Sequence, residues 1–306
     1  MELSPKQQEV RHWLEKRRAI LLAHNYQPGE IQDIADYLGD SLDLSMTAAK
    51  TPAEVIVFCG VHFMAETAAI LSPDKTVLLP RKDVGCCLAE SVKASKLLAR
   101  KAELPGVPVV TYVNSTAAVK AESDICCTSA NAVSVVNSLA AERVLMVPDQ
   151  NLALYVARHT PKTVEIITWE GWCNVHDGLS VAEVQECRAA HPQAVFLAHP
   201  ECNPAVLDLA DVIRSTSGML KYVQEAGEQE FIIGTEQGIL HRMRKENPGK
   251  QFWSPSNKLI CRPMKRITLD DIVNALKENR HRITVPEETR VRALRAVERM
   301  LAVPRD

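Results

Sequence analysis

Three cysteines divide this chain at almost equal intervals. Cys173 lies 87 residues after Cys86 and 88 residues before Cys261. Between them, short apolar runs that suit buried strands alternate with stretches of helical spacing, a pattern typical of parallel sheets with helices on both faces. Internal repetition of this kind usually reflects repeated supersecondary units. We therefore predict an α/β protein built from three copies of one unit, whose three thiols meet at one metal centre.

The predicted units are three-layer α/β/α domains with parallel sheets. They span residues 1–87, 88–178 and 179–268, so that each unit ends shortly after its cysteine. Two helices in residues 269–306 complete the predicted organisation.

The second and third units match most closely in spacing. Tyr112 precedes Ser129 by 17 residues, and His199 precedes Thr216 by the same 17 residues. The distances from these two hydroxyls to the next of the three cysteines are 44 and 45 residues. Such agreement predicts that equivalent strand ends and helix starts occur in both units.

The first unit is predicted to depart from this pattern. Only 27 residues separate Cys59, at the end of a strand-like run, from Cys86. The unit is therefore expected to be shorter at its end. It is also expected to contain a helix over residues 31–38 and an extra helix near Ser41.

Composition and charge narrow the class of protein. The 306 residues carry 36 basic and 38 acidic side chains, and this net charge of −2 provides no basic field for nucleic acid or anionic lipid. No apolar run approaches the ~20 residues that a membrane span needs, and the first residues suit a helix start, not a signal peptide. Nine cysteines without a secretion signal argue against a disulfide framework. We expect a cytoplasmic protein with no nucleic-acid or membrane partner.

Polar side chains follow the carboxyl ends of predicted strands in all three units. In parallel α/β sheets the ligand crevice lies beyond these ends, and hydroxyls at helix N-termini bind phosphate or carboxylate well. A single serine or threonine there is more often an ordinary N-cap, but three units facing one cleft favour a small polyanionic ligand. The residues concerned are His24, Tyr26, Tyr112, Asn114, Ser129, His199, Glu201 and Thr216.

Three thiolates from separate units suit two kinds of metal centre. A [4Fe-4S] cluster on three cysteines keeps one iron without a protein ligand, and that iron can act as a Lewis acid. Three thiolates with water could instead hold a catalytic zinc, for which His176 is a candidate ligand. The Trp169-Glu170-Gly171-Trp172 stretch before Cys173 suits a close backbone approach at the glycine. The residue pattern leaves both metals open.

Nine short motifs stand in order along the chain, and they carry a resemblance. They are Ala23-His24-Asn25-Tyr26-Gln27, Gly39-Asp40-Ser41, Gly85-Cys86, Tyr112-Val113-Asn114-Ser115, Gly171-Trp172-Cys173-Asn174-Val175-His176, His199-Pro200-Glu201-Cys202, Ser215-Thr216-Ser217-Gly218-Met219, Gly234-Thr235-Glu236 and Cys261-Arg262-Pro263-Met264-Lys265. In these motifs, from about residue 19 to 276, the chain resembles the quinolinate synthase family.

The resemblance implies a fold, a cofactor and a reaction. The implied fold has three similar α/β domains in a pseudo-threefold arrangement with the active site at their junction. The implied cofactor is an oxygen-sensitive [4Fe-4S] cluster on Cys86, Cys173 and Cys261. The implied reaction condenses iminoaspartate with dihydroxyacetone phosphate to give quinolinate, phosphate and water, in the route from aspartate to NAD. The resemblance also implies that L-aspartate oxidase or aspartate dehydrogenase supplies the iminoaspartate.

Residue roles follow from the same resemblance. Tyr26 and Glu201 match positions that transfer protons, and His176 matches a position beside the cluster and substrate. Cys87 adjoins Cys86, but the Gly-Cys pair and the 87-residue spacing favour Cys86 as the ligand. Because Arg262 and Pro263 follow Cys261, no C-x-x-C redox pair is available there. Substrate contacts are implied for His24, Ser41, Tyr112, Asn114, Ser129, His199, Glu201 and Thr216.

Three rival functions remain at this stage. A cluster-dependent hydro-lyase acting on another hydroxy acid would share the open iron but would need no phosphate site. An electron carrier or iron sensor would enclose a fully ligated cluster. A solute-binding receptor would share the multidomain α/β architecture but would need an export signal.

Overall fold

The structure is a computed structural model that describes residues 2–166 and 171–305. In this part of the chain, strands form three sheets of four strands each. The strands are β1 (Ala19–His24), β2 (Tyr37–Gly39), β3 (Val55–Cys59), β4 (Thr76–Leu78), β5 (Val109–Tyr112), β6 (Ile125–Cys127), β7 (Arg143–Val147), β8 (Thr163–Ile166), β9 (Val195–Ala198), β10 (Val212–Ile213), β11 (Glu230–Gly234) and β12 (Gln251–Trp253).

Helices connect these strands and complete the chain. They are α1 (Pro5–Lys16), α2 (Gly29–Gln32), α3 (Ser41–Lys50), α4 (His62–Leu71), α5 (Cys87–Glu90), α6 (Ala94–Glu103), α7 (Ala117–Ala121), α8 (Ala132–Ser138), α9 (Gln150–His159), α10 (Asn174–Asp177), α11 (Val181–Ala190), α12 (Pro204–Leu207), α13 (Thr216–Glu225), α14 (Ile239–Glu246), α15 (Leu269–Glu278) and α16 (Glu287–Leu301).

The three sheets share one topology. Their strand orders are β2-β1-β3-β4, β6-β5-β7-β8 and β10-β9-β11-β12, and the neighbouring strands pair in parallel. In each sheet the first strand of the unit is flanked by the second and third, and each connection between these parallel strands is a crossover. The predicted α/β fold with three similar parallel-sheet domains is confirmed.

The strands are apolar because helices cover both faces of each sheet. All five residues of β3 are buried, and so are all four residues of β5. A parallel strand that is buried on both faces needs a continuous apolar run and shows no alternation of polar and apolar residues. The same rule explains why the apolar runs in the sequence located most of the strands correctly.

The predicted helix over residues 31–38 is wrong. The structure has the single turn α2 followed by strand β2, whose Tyr37 pairs with Leu22 of β1. Just before β2, the Asp36 carboxylate accepts a hydrogen bond from the backbone N–H of Leu21 at 2.7 Å. The apolar spacing of this stretch suited a helix, but pairing with β1 outweighed that local preference.

Because it contains β2, the first unit has the same order of strands and helices as the other two units, contrary to the prediction. The helix near Ser41 is not an extra element, because α3 follows β2 as α8 follows β6 and α13 follows β10. Ser41 lies 17 residues after His24, the same spacing that the other two units show, and 45 residues before Cys86. The first unit is therefore not shortened between its hydroxyl and its cysteine.

The last two helices close the structure. Helix α15 packs against α1, and α16 packs against α4, α7 and β6, so it joins the first and second units. The capping box of Thr268 and Asp271 starts α15, and Asn279 ends it in the left-handed conformation at φ 55°. No helix in the described part of the chain has the length and apolar character that crossing a membrane requires.

The sequence also predicts a strand over residues 164–168, in the run that leads to Cys173, and the structure describes only its first part. Strand β8 accounts for it as far as Ile166. The remainder of that prediction, together with Trp169 and Glu170, lies outside the described residues.

Candidate active site

A cavity of about 610 Å³ opens at the carboxyl ends of the three sheets. Residues of all three units line it, as expected for a site at the junction of parallel α/β units. Every residue that the sequence singled out for the site is part of the lining. These residues are His24, Tyr26, Ser41, Cys86, Tyr112, Asn114, Ser129, Cys173, His176, His199, Glu201, Thr216 and Cys261.

Equivalent strand ends supply equivalent side chains. His24 ends β1, Tyr112 ends β5, and His199 follows β9 directly. Two residues after each of these come Tyr26, Asn114 and Glu201, the second set of polar residues that face the cavity. Hydroxyls follow the neighbouring edge strand of each sheet and are contributed by Ser41, Ser129 and Thr216.

Tyr26 is held by two threonines of the third unit. Its hydroxyl lies 2.6 Å from Thr235 Oγ1 and 3.1 Å from Thr216 Oγ1. Thr235 also contacts His176, whose Nε2 lies 2.8 Å from the same Oγ1 atom. Burial raises the pKa of Tyr26 well above its usual value, so the phenol keeps its proton.

Glu201 lies between two stacked histidines. Its Oε2 atom is 3.1 Å from Nδ1 of His176 and 3.2 Å from Nδ1 of His199. The two imidazole rings stack with centroids 4.4 Å apart and 16° between their planes. On its far side, Nε2 of His199 lies 3.1 Å from Ser129 Oγ. A chain of polar contacts therefore joins the three units around the cavity.

A second carboxylate, Asp149, accompanies Glu201. Asp149 is buried at the start of α9, where it accepts a hydrogen bond from the Leu152 N–H at 2.7 Å. Burial and the charge of Glu201 raise the pKa of Asp149 well above its usual value. Although burial opposes it, the neighbouring His176 lowers the pKa of Glu201. The arrangement therefore keeps a proton on Asp149 and a charge on Glu201.

His24 and His199 are buried as neutral imidazoles. Burial lowers the pKa of His24 to about 4 and the pKa of His199 to about 3. A neutral imidazole can both donate and accept a hydrogen bond, which suits the binding of a carboxylate or carbonyl group.

The three cysteines occupy matching local structures. Cys86 directly precedes α5, Cys173 directly precedes α10, and Cys261 precedes a short turn. Burial raises the pKa of each of these thiols, and in each case the backbone amide three residues later works in the opposite direction. The amides belong to Ala89, His176 and Met264.

This donor set fits a cationic cluster. Buried thiols with raised pKa values become thiolates only when a cation is present, and the helix-start amides then hydrogen-bond to the sulfur. In the described part of the chain, the ligand atoms of Cys173, His176 and Glu201 form the group that lies within 4.8 Å of one another. Cys86, Cys173 and Cys261 all line the one cavity, each from a different unit, as a cluster held by three separate segments requires.

The backbone at Gly171 makes a close approach, as the sequence predicts. A Cβ atom at this position would lie 1.9 Å from the carbonyl oxygen of Pro148, so a side chain would displace the loop. The Gly171 carbonyl also accepts a hydrogen bond from the Gln150 N–H at 2.6 Å. The loop that carries Cys173 is thereby fixed against the start of α9.

The sequence analysis assigned no role to several polar groups of the site, although Thr235 and Glu236 belong to one of the nine motifs. Thr235 contacts both Tyr26 and His176, and Asp149 faces Glu201. Glu236 accepts a hydrogen bond from the Cys261 N–H at 3.1 Å and pairs with Lys265 at 2.9 Å. Asp149 and Thr235 follow the third strand of their units, so the strand-end rule could have identified them.

Comparisons with known proteins identify one family. Residues 8–302 match the family described as "Quinolinate synthetase A protein". The chain is 55% identical over 306 residues to a quinolinate synthase of Geobacter metallireducens, with all of both chains covered. It is 56% identical over 297 residues to a quinolinate synthase of Methanoregula boonei, covering 97% of this chain and 98% of that protein. It is 50% identical over 296 residues to one of Thermodesulfovibrio yellowstonii, covering 97% of each.

Fold, cavity and relatives together define an enzyme with three parallel α/β units around one site. The chain belongs to the quinolinate synthase family.

Proposed function

We propose that this enzyme condenses iminoaspartate with dihydroxyacetone phosphate to give quinolinate, phosphate and water, in the synthesis of NAD from aspartate. The observation that carries the proposal is the convergence of three cysteines and a set of hydroxyl, imidazole and carboxylate groups on one cavity. One substrate is a dicarboxylate and the other a phosphate ester, so both need hydrogen-bond donors, and the cavity provides them. Family membership supports the same reaction.

Cys86, Cys173 and Cys261 would hold a [4Fe-4S] cluster. When bound, such a cluster with one open iron supplies a Lewis acid. A mononuclear zinc at Cys173, His176 and Glu201 is the competing metal site, because ligand atoms of these residues lie within 4.8 Å of one another and Nδ1 of His176 makes no hydrogen bond with any described residue. The cluster is preferred because Cys86 and Cys261 line the same cavity as Cys173, and the iron and sulfide analysis described below distinguishes the two metals.

The anionic groups of the substrates would bind to the hydroxyls. Ser41 and Thr216 are the first residues of α3 and α13, where backbone N–H groups and the helix dipole favour negative charge. Ser129 follows β6 at the equivalent position. Donors or neutral imidazoles from His24, His199, Tyr112 and Asn114 complete the set.

Proton transfer would use groups whose protonation the site controls. Glu201 is ionised and buried, which suits removal of a proton from a substrate carbon or nitrogen. Tyr26 keeps its proton and can donate it to a leaving oxygen. His176 contacts both Glu201 and Thr235, so it would hold the carboxylate in position and link it to Tyr26.

The decisive experiment is anaerobic purification with iron and sulfide analysis, followed by a quinolinate assay. L-Aspartate oxidase or aspartate dehydrogenase would supply the iminoaspartate in the assay, as we propose that one of them does in the cell. We expect quinolinate with dihydroxyacetone phosphate and none with phosphate-free dihydroxyacetone. Equal quinolinate from both would show that the site does not recognise the phosphate group, and no quinolinate from either would refute the proposed function.

A further inference from the structure

The segment that follows α16 reaches two of the loops that carry cavity hydroxyls. This segment, residues 302–305, is called the α16 extension below. The Arg305 guanidinium donates to Asp40 with Nη1–Oδ2 at 2.9 Å and Nη2–Oδ1 at 3.3 Å, and it also donates to Asp43. Arg305 is separated from these partners by more than 260 residues of chain, so the contact is a tertiary one.

Asp40 connects Arg305 to the start of α3. Its Oδ1 atom accepts hydrogen bonds from the N–H groups of Leu42 and Asp43, both at 3.0 Å, and so caps the helix. Ser41 lies between Asp40 and these amides, and both Asp40 and Ser41 line the cavity. A change in the orientation of Asp40 would therefore move the hydroxyl and the amides at the helix start.

Asp43 connects Arg305 to the third unit. Its Oδ2 atom accepts a hydrogen bond from Ser217 Oγ at 2.6 Å, and Ser217 follows Thr216 at the start of α13. Asp40 and Asp43 flank Ser41 in the sequence, and both carboxylates accept hydrogen bonds from the one guanidinium. Without that cation they would repel each other and any anion bound at Ser41.

Asn131 connects the end of α16 to the second unit. This fully buried side chain donates to the carbonyl oxygens of Met300 and Val303, both at 3.2 Å. Its Oδ1 atom accepts from the N–H of Thr128 at 2.8 Å, in the loop that carries Ser129. The three equivalent hydroxyls therefore belong to loops that meet at α16 and its extension.

We propose that Arg305 is a positioning residue for the phosphate-bearing substrate. It places a cation between two carboxylates beside Ser41 and fixes the start of α3 relative to α13. This inference rests on the proposed function, because the affected ligand is the anionic substrate. Arg305 itself is absent from the cavity lining, so it acts through Asp40 and Asp43.

The test uses full-length holoenzyme and two measurements with dihydroxyacetone phosphate. For Arg305→Ala we expect KM in the quinolinate assay, and Kd by calorimetry, to rise about tenfold, the usual scale for losing a charge-assisted pair. The kcat value and the iron and sulfide content should stay within about twofold, because no group at the reacting atoms is removed. The difference in Kd should shrink as salt is added, since screening weakens repulsion by uncompensated carboxylates.

Companion variants separate positioning from a general loss of stability. Arg305→Lys should recover only part of the affinity, because an ammonium cannot bridge two carboxylates as a planar guanidinium does. Asp43→Asn in the Arg305→Ala background should restore affinity by removing one of the repelling charges. Arg292→Ala is the matched control, since Arg292 lies in α16, ahead of the extension, and pairs with Glu122, which does not line the cavity.

The outcomes distinguish this inference from the function on which it rests. If the wild-type enzyme neither binds nor converts dihydroxyacetone phosphate, the proposed function fails and this inference fails with it. If the wild type does both and Arg305→Ala has the same Kd and KM, only the role of Arg305 is refuted. A fall in kcat with unchanged KM, or an equal effect of Arg292→Ala, also refutes it.

Discussion

Adjacent thiols at residues 86 and 87 differ in what surrounds them. Cys86 is half-buried and precedes a helical turn as Cys173 does, whereas Cys87 is exposed. We expect Cys86→Ser to lose most of its iron and sulfide and all quinolinate formation, because one of three ligands is gone. Cys87→Ser should keep its iron and sulfide and its quinolinate formation. The measurement is the content of iron and acid-labile sulfide after anaerobic purification. Loss of iron and sulfide in the Cys87 variant alone would show that Cys87, not Cys86, is the ligand.

The carboxylate of Glu201 is the group best placed to accept a proton. In Glu201→Gln the amide has nearly the same shape but cannot take up a proton, so turnover should fall by about 10²–10⁴-fold. Iron and sulfide content should be unchanged, since Glu201 is not among the proposed ligands. Single-turnover quinolinate formation with matched cluster content is the measurement. Turnover equal to the wild type would remove Glu201 from the mechanism.

Residue types after strand ends were predictable, but their contacts were not. His24, Tyr112 and His199 follow apolar runs, so their common edge could be inferred from sequence. The hydrogen bonds of Thr235 to Tyr26 and His176 could not, because they join residues 209 and 59 positions apart. Side-chain direction at such range depends on how the units pack.

Among the elements, the loop before α10 depends on a single glycine. Gly171→Ala would place a Cβ atom 1.9 Å from the Pro148 carbonyl oxygen, so the loop that carries Cys173 must shift. We expect this variant to fold but to bind substantially less iron and sulfide than the wild type. Gly249→Ala is the matched control, because a Cβ atom there meets nothing within 4 Å. Full iron content in Gly171→Ala would show that the close approach does not position Cys173.

Strand β2 could not be predicted from the local pattern of apolar and polar residues. Only three residues long, it has one exposed residue and gives no continuous apolar run. The sequence feature that does indicate this strand is the spacing of 17 residues from His24 to Ser41, which is the same in the other two units. The local pattern favoured a helix, so the repeated spacing was the better predictor of β2. Repeated spacing reflects the structure of the whole unit, and that structure determines whether a short edge segment pairs as a strand.

In the whole molecule, the three units are joined both at the cavity and outside it, where for example Nε2 of His241 lies 3.0 Å from Asp33 Oδ1. Contacts between units include Tyr26 with Thr235 and Thr216, and His199 with Ser129. The repeat in the sequence predicts that equivalent strand ends meet. It cannot predict that α16 joins two of the units, since α15 and α16 lie outside the repeat and their packing partners leave no periodic signal.

Buried neutral histidines at this junction should make the stability of the whole protein depend on pH. The pKa of His24 is lowered to about 4 and that of His199 to about 3, whereas both are near 6.5 in an unfolded chain. As pH falls below 6.5 the unfolded chain binds protons that the folded protein does not, so stability is full above pH 6.5 and declines toward pH 4. At pH 5 the loss should be roughly 2 kcal/mol for each histidine. Urea unfolding between pH 7.5 and pH 5 measures it. His24→Gln should flatten the slope and the exposed His12→Gln should not, whereas constant stability across this range would contradict neutral burial of the two rings.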